Sequence, residues 1–295
     1  MMKHSDFPNY FIAGDNASLL AQKKYVTYVR WDLVLMCISA ALAIYNYTSE
    51  DTKRFIYIFS GLILLVAFML SLIIKTKKYE DVWYRGRALA ESAKTLTWRF
   101  ITKSEYFEDY LSIEEVEKRF TERIKEIREE FKDINSSLKA SDLSKAIITE
   151  KMLEVRGLDL QERKDFYIKN RIDNQIEWYT GKADTNKAKY ESWFWAVIVM
   201  QFLAIVSVSF LIYYPNSDFN LVGIFTTLSA SFFSWLQLKK YQENKEAYNT
   251  AMSELNFIKQ EAKFITLEND FAKFVLDSEN AMSREHTMWL AQKRV

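Results

Sequence analysis

Uncharged runs divide the chain. Residues 55–74, 193–214 and 219–238 hold twenty, twenty-two and twenty residues without a charge, each close to the roughly 20 that an α-helix needs to cross a bilayer core. A fourth run, 33–47, has only fifteen, a length that a re-entrant or buried core helix would also fit. We read it as a span, because only seven residues separate it from the next run and an uncrossed first segment would leave the first hairpin unmatched to the second. About thirty mostly polar residues precede it and no small-residue cleavage site follows, so it is not read as a signal peptide. The expected spans are therefore 31–50, 55–75, 193–214 and 219–238, arranged as two hairpins.

Between and after the hairpins the pattern changes to a helical period. Ile113, Val116, Phe120, Ile124, Ile127, Phe131, Ile134 and Leu138 recur at three and four residues with charges between them, which predicts an amphipathic helix. Ser112 and Glu115 form a capping box at its start. After Gly223 there is neither Gly nor Pro, and Phe257, Phe264 and Phe271 stand one heptad apart, with Leu267 and Phe274 offset by three. The second hairpin is expected to continue as a long helix, since residues 221–263 unbroken would reach roughly 65 Å at 1.5 Å per residue. The break is expected at 277–280. The fold class is an all-α membrane protein whose long cytoplasmic helices pack as a bundle or coiled coil.

Basic residues orient the hairpins, because cytoplasmic flanks are enriched in Lys and Arg. Lys23, Lys24, Arg30, Lys75, Lys77, Lys78, Arg85 and Arg87 flank the first hairpin, against Lys53 and Arg54 at its tip. Lys182, Lys187, Lys189, Lys239, Lys240 and Lys245 flank the second, whose tip at 215–218 has no basic residue. Both termini and the middle segment are expected in the cytoplasm.

The two hairpins also repeat one another. Trp31 and Trp193 precede the two first spans at an offset of 162, and Lys77-Lys78-Tyr79 and Lys239-Lys240-Tyr241 follow the second spans at the same offset. A shorter pattern, WYxG with a basic residue and Ala, occurs at 83–88 and 178–183 and reads as a shared solution at a membrane boundary, where Trp and Tyr rings settle. We divide the chain at 1–160 and 161–295.

Composition narrows the chemistry. A net charge of +1 provides no field for nucleic acid, and no nucleic-acid partner is expected. Cys37 is the only cysteine and His4 and His286 the only histidines, which removes disulfides and leaves little material for metal sites or histidine triads. With no Gly-rich phosphate loop and no evident nucleophile beside a base, no catalytic residue, metal or cofactor is expected, and the chain is not read as an enzyme. The runs 33–47, 55–74, 193–214 and 219–238 contain no acidic, basic or histidine side chain, so charge-coupled transport lacks its usual residues.

Two helical faces stand out. Tyr84, Arg87, Glu91, Lys94 and Trp98 follow three- and four-residue steps next to Trp83, and Tyr167, Arg171, Gln175, Trp178 and Lys182 do so next to Tyr179. Exposed pairs such as Arg87 with Glu91 stabilise a helix by only about 0.2–0.5 kcal/mol each, too little to account for the pattern. A solvated juxtamembrane face, an interface network coupling cytoplasm to spans, and a ligand pocket are the three readings. Within the last span Asn220, Gly223, Thr227, Ala230, Ser231, Ser234 and Gln237 form a small and polar stripe, which suits close helix packing and would equally line a water-filled passage; Gln201 is ambiguous in the same way.

With its hairpins, its WYxGRAxAExxK segment at 83–94 and its YxxxRxxxQxxWYxxKA segment at 167–183, the chain resembles the SLATT superfamily, as two different units in tandem. Trp83, Tyr84, Arg87, Ala88, Glu91 and Lys94 resemble the motif of one type, and Tyr167, Arg171, Gln175, Trp178, Tyr179 and Lys182, with the terminal Glu285 and Trp289, that of the other. The resemblance implies a bacterial two-transmembrane effector of antiphage systems, resident in the cytoplasmic membrane, that oligomerises and forms a pore or disrupts the bilayer. It implies a nucleotide second messenger or a separate sensor protein as the source of the signal. The alternative is a non-conducting membrane scaffold that recruits a cytoplasmic partner through its helices.

Overall fold

The computed structural model describes the backbone of residues 2–291 and the side chains of residues 2–283, and no strand is present among them. The helices are α1 (Asn9–Leu42), α2 (Glu50–Lys77), α3 (Tyr79–Ile101), α4 (Ile113–Glu130), α5 (Ala140–Leu143), α6 (Glu150–Arg156), α7 (Leu160–Tyr167), α8 (Asn174–Tyr213), α9 (Val222–Lys239), α10 (Tyr241–Glu261) and α11 (Glu268–Ala291). A π-helical turn, Ile168–Asp173, joins α7 to α8. Among the described residues three stretches are long and apolar enough to cross a membrane: Asn9–Leu42, Glu50–Ile101 and Leu160–Tyr213. Of the expected span 31–50 only residues 31–42 are helical before α2 begins at Glu50, as the end of the much longer α1; residues 43–47 leave the helix for the turn and bridge at the hairpin tip.

Side chains set the starts of the helices. Ser112 Oγ accepts from the Glu115 N–H at 3.3 Å, as the capping pattern predicts, and Asp159 accepts from the Glu162 N–H at 2.8 Å. Each such cap satisfies one of the N–H groups that a helix leaves unpaired at its start.

Two expectations about the C-terminal half are corrected. The long helix does not run unbroken through 221–263: Lys240 adopts the left-handed conformation, φ 45°, and separates α9 from α10. A second break follows α10 at the 3-10 turn Ala262–Phe264 and the non-helical residues 265–267, while α11 passes straight through 277–280. In consequence the heptad phenylalanines form no single seam. Phe271 is buried, whereas Phe257 and Phe264 are exposed. The first of these breaks has a counterpart, since Lys78, 162 residues earlier, is also left-handed at φ 47° and separates α2 from α3. Both are the middle lysine of a KKY triplet, so the sequence repeat extends to a backbone conformation that costs an L-residue roughly 1–2 kcal/mol.

The residues group into two compact units. The first comprises Met1–Gln22, Glu80–Ala183 and Glu246–Val295. Its core joins Ala93, Trp98, Phe100, Phe107, Phe120, Met152, Tyr167, Phe271 and Val275. Within it α1 and α3 cross at two glycines: a Cβ on Gly14 would stand 2.9 Å from the Gly86 carbonyl oxygen, and one on Gly86 would stand 3.0 Å from the Gly14 oxygen. Ser18 Oγ donates to the Trp83 carbonyl at 2.9 Å beside that crossing.

The second unit comprises Lys23–Tyr79 and Asp184–Lys245, the later part of α1 with α2, most of α8 and α9. Ser39 and Ser60 hydroxyls meet at 2.6 Å between α1 and α2, and Ser229 Oγ donates to the Val197 carbonyl at 3.5 Å between α9 and α8. The two hairpin tips are stapled by an antiparallel bridge, Tyr45 with Phe219, in which the Asn46 N–H donates to the Asp218 oxygen at 2.6 Å and the Asn220 N–H to the Ile44 oxygen at 2.7 Å. Outward faces of this unit are apolar: Phe55, Leu62, Leu65, Phe68, Phe202 and Ile205 are all exposed.

Candidate functional site

The first unit is organised around one carboxylate. Glu279, on the face of α11 that also carries Phe271, Phe274, Val275 and Met282, is completely buried. Oε1 accepts from Arg171 Nε at 2.9 Å and from the Tyr167 hydroxyl at 2.9 Å; Oε2 accepts from Arg171 Nη2 at 2.7 Å and from Thr95 Oγ1 at 3.0 Å. The two guanidinium contacts form the bidentate fork in which charge-assisted bonds are strongest. Arg171 lies in the π-helical turn, a widened turn that recurs at functional sites, and its guanidinium carbon is 5.9 Å from the centre of the Trp98 ring. Trp98 is itself held edge-on to Tyr167 at 5.6 Å.

A second arm of charge lies along α3. Arg87 Nη2 pairs with Glu91 Oε1 at 2.7 Å and Arg87 Nη1 with Asp15 Oδ1 at 3.7 Å, while Lys94 Nζ reaches Glu91 Oε2 at 3.8 Å. The two arms feel one another. Burial pulls the Lys94 ammonium down to about 8; Glu91 opposes this, and Arg171 and Arg87 add to it. Burial alone would lower the Arg171 guanidinium, but the charge and hydrogen bonds of Glu279 outweigh it and hold its pKa above the usual value, with Glu91 adding to the effect. Burial and then the Glu279 charge push the Tyr167 phenol well above its ordinary range. The network holds a buried negative charge in place by donors from α3, α7 and the π turn.

Of the residues singled out from sequence, Arg87, Glu91, Lys94, Trp98, Tyr167 and Arg171 come together here. Trp83 and Tyr84 stack on one another at 4.8 Å on the α3 turn that faces Ser18. Trp178 and Tyr179 gather around Tyr248 at 5.2 and 5.7 Å, with Lys182 Nζ 5.6 Å from the Trp178 ring. Gln175 is half-buried one turn beyond Arg171. The side chains of Glu285 and Trp289 lie outside the described residues. In the second unit Ser231 is buried and accepts from Cys37 Sγ at 3.4 Å. Asn220 belongs to the hairpin staple and accepts from the Val222 N–H at 3.1 Å. Thr227 is half-buried, and Gln201 and Ser234 are exposed.

Glu279 and Thr95 were not among the residues singled out. The signal for Glu279 was present, as a single acid on an apolar stripe at 271, 274, 275 and 282. The repeated WYxG motif separates into two roles: Gly86 permits the α1 crossing, whereas a Cβ on Gly181 meets nothing within 4 Å. Among the described residues no group of three or more His, Cys, Asp or Glu side chains converges to hold a metal.

Three long apolar stretches in a chain that is nearly all helix among the described residues are the marks of a helical membrane protein. The chain belongs to the SLATT family. Residues 8–164 match the SMODS and SLOG-associating 2TM effector domain 3, and residues 167–289 match the SMODS and SLOG-associating 2TM effector domain 1. The two domains lie in tandem and cover almost the whole chain. No curated protein and no solved structure matches it. SLATT effector domains are found in antiphage systems.

Proposed function

We propose that this chain is a membrane effector of a bacterial antiphage, abortive-infection system, which oligomerises in the cytoplasmic membrane and forms a pore or disrupts the bilayer when a cytoplasmic signal arrives. The observation that carries this reading is the tandem of two 2TM effector domains on a chain whose apolar helices are long enough to span. In this reading α9, whose hydroxyl and amide side chains dilute its hydropathy, is the fourth span, and both termini and the first unit are cytoplasmic. Phe257, Phe264 and Leu267, exposed at 72, 85 and 63%, offer the first unit an apolar surface for a second copy. The signal is a nucleotide second messenger or a separate sensor protein, and the Glu279 network is the element that couples it to the spans. No catalytic step is assigned.

Purified chain in a planar bilayer, supplied with its signal, is expected to conduct and expressing cells to lose membrane potential; a silent bilayer with undisturbed potential would sink the proposal. A scaffold that does not conduct is the second reading, favoured by the burial of Ser229 and Ser231 in helix packing. Replacing Thr227, Ser231 and Ser234 by Ala separates the two, since a pore changes conductance or gating and a scaffold keeps its activity. Glu91→Ala is expected to impair activity or assembly while insertion persists; if both are unchanged, the α3 face is only a solvated juxtamembrane surface.

A further inference from the structure

Two cations from different helices share one indole in the second unit, and a third, from another helix, acts on one of them. Arg30 on α1 and Lys239 on α9 both lie over the Trp235 indole, the guanidinium carbon at 5.4 Å and the ammonium nitrogen at 5.6 Å from the ring centre. The other charges acting on Lys239 are those of Arg30 and of Lys189 on α8, both of like sign. None of the three forms an ion pair among the described residues, and Arg30 and Lys189 are exposed. The ring between them is fixed: the Tyr241 phenol hydrogen-bonds with the Trp235 side chain, and Trp193 packs against Trp235 at 6.2 Å and against Phe232 at 5.3 Å.

A cytoplasmic flank requires lysines, but it does not require them to meet. Lys75 and Lys77, exposed on one helix, satisfy the flank without convergence. Arg30 and Lys239 share the indole face and Lys189 adds its like charge to Lys239, a repulsion that a bound anion would relieve. The residues also stand at one level of the chain, with Arg30 just before the run 33–47, Lys189 just before 193–214 and Lys239 just after 219–238. On the membrane reading that level is the headgroup region, where Trp and Tyr belong and the inner leaflet is negative. We propose that Arg30, Lys189 and Lys239 form a seat for the phosphate of an anionic phospholipid, with Trp235 as its floor and the acyl chains running down the exposed apolar faces. A zwitterionic lipid would bring its own cation into the seat and be disfavoured. This inference rests on the membrane reading and specifies which lipid that membrane must contain.

The test uses the full chain purified in neutral detergent and titrated with short-chain phosphatidylglycerol or phosphatidylcholine, with bound lipid counted by native mass spectrometry. At about fivefold per cation, three cations give phosphatidylglycerol a preference on the order of a hundredfold. The triple variant Arg30→Gln, Lys189→Gln, Lys239→Gln is expected to lose it. The variant Lys23→Gln, Lys75→Gln, Lys77→Gln, which removes as much charge from the same flank, is expected to keep it, as is the charge-keeping Lys189→Arg, Lys239→Arg pair. Equal loss in both triple variants, equal binding of the two lipids by the native chain, or displacement of phosphatidylglycerol by inorganic phosphate would each overturn the seat. Resistance of the native chain to carbonate extraction is measured alongside: an inserted chain indifferent to lipid charge defeats the seat alone, and a chain that is extracted defeats the membrane reading.

Discussion

At Glu279 the residue chemistry is unforgiving, because a buried carboxylate is tolerable only while its donors stay in place. Removing one partner of a buried ion pair costs about 3–5 kcal/mol by stranding the other charge. Glu279→Leu and Arg171→Met are each expected to lower the denaturation midpoint of the purified chain steeply, whereas the double variant with both is expected to recover most of the loss. Additive losses in that double-mutant cycle would mean that the pair contributes nothing as a pair. Lys94 makes a prediction with a defined direction. Burial holds its folded-state pKa near 8 against an ordinary value of 10.5, so between those pH values the unfolded chain binds more proton and stability rises with pH. Melting curves across that window should show the rise in the native chain and a shallower one in Lys94→Met, and identical slopes would exclude Lys94 as the titrating group.

The elements explain why some features were readable and others not. The period of three and four that placed Arg87, Glu91 and Lys94 on one face is a property of a single helix, and it survives folding unchanged. The burial of an acid such as Glu279 depends instead on what packs over it, and that cover comes from α3 and α7, more than a hundred residues away. Helix breaks were hardest to place. A lysine in the left-handed region has no residue-type signature of the kind glycine provides, so Lys240 gave no warning, while the polar residues at 277–280 looked like an ending and proved to be the centre of a packed face. The glycines allow a direct comparison. Gly86→Ala would press a methyl against the α1 backbone and is expected to cost about 1–3 kcal/mol, as overpacking does. Gly181→Ala meets open space and is expected to stabilise its helix by roughly 0.5–1 kcal/mol. The two variants melted side by side should shift in opposite directions, and a common direction would mean that the α1 crossing does not require glycine.

For the whole molecule, the hairpins were legible because length and lack of charge are summed over some twenty residues, where local errors cancel. The staple joining the two tips was not, as it is made by backbone groups of Asn46 and Asn220 that any sequence carries. The four-span topology predicts that, in a chain without Cys37, Ser49→Cys and Ser217→Cys react with an impermeant maleimide applied outside intact cells and Ser144→Cys does not. Labelling of residue 144 under those conditions would reverse the orientation.

The donors of Glu279 have one further consequence. Thr95 lies in the stretch matched by one effector domain, while Tyr167, Arg171 and Glu279 lie in the stretch matched by the other. The cover over the carboxylate is likewise drawn from both. A gene cut between codons 164 and 167 would therefore not release two working modules. It would encode two halves that are each incomplete inside, expected to degrade when made separately and to be rescued when made together, so the linkage of the two domains in one reading frame supplies a partner that neither could wait to meet by diffusion.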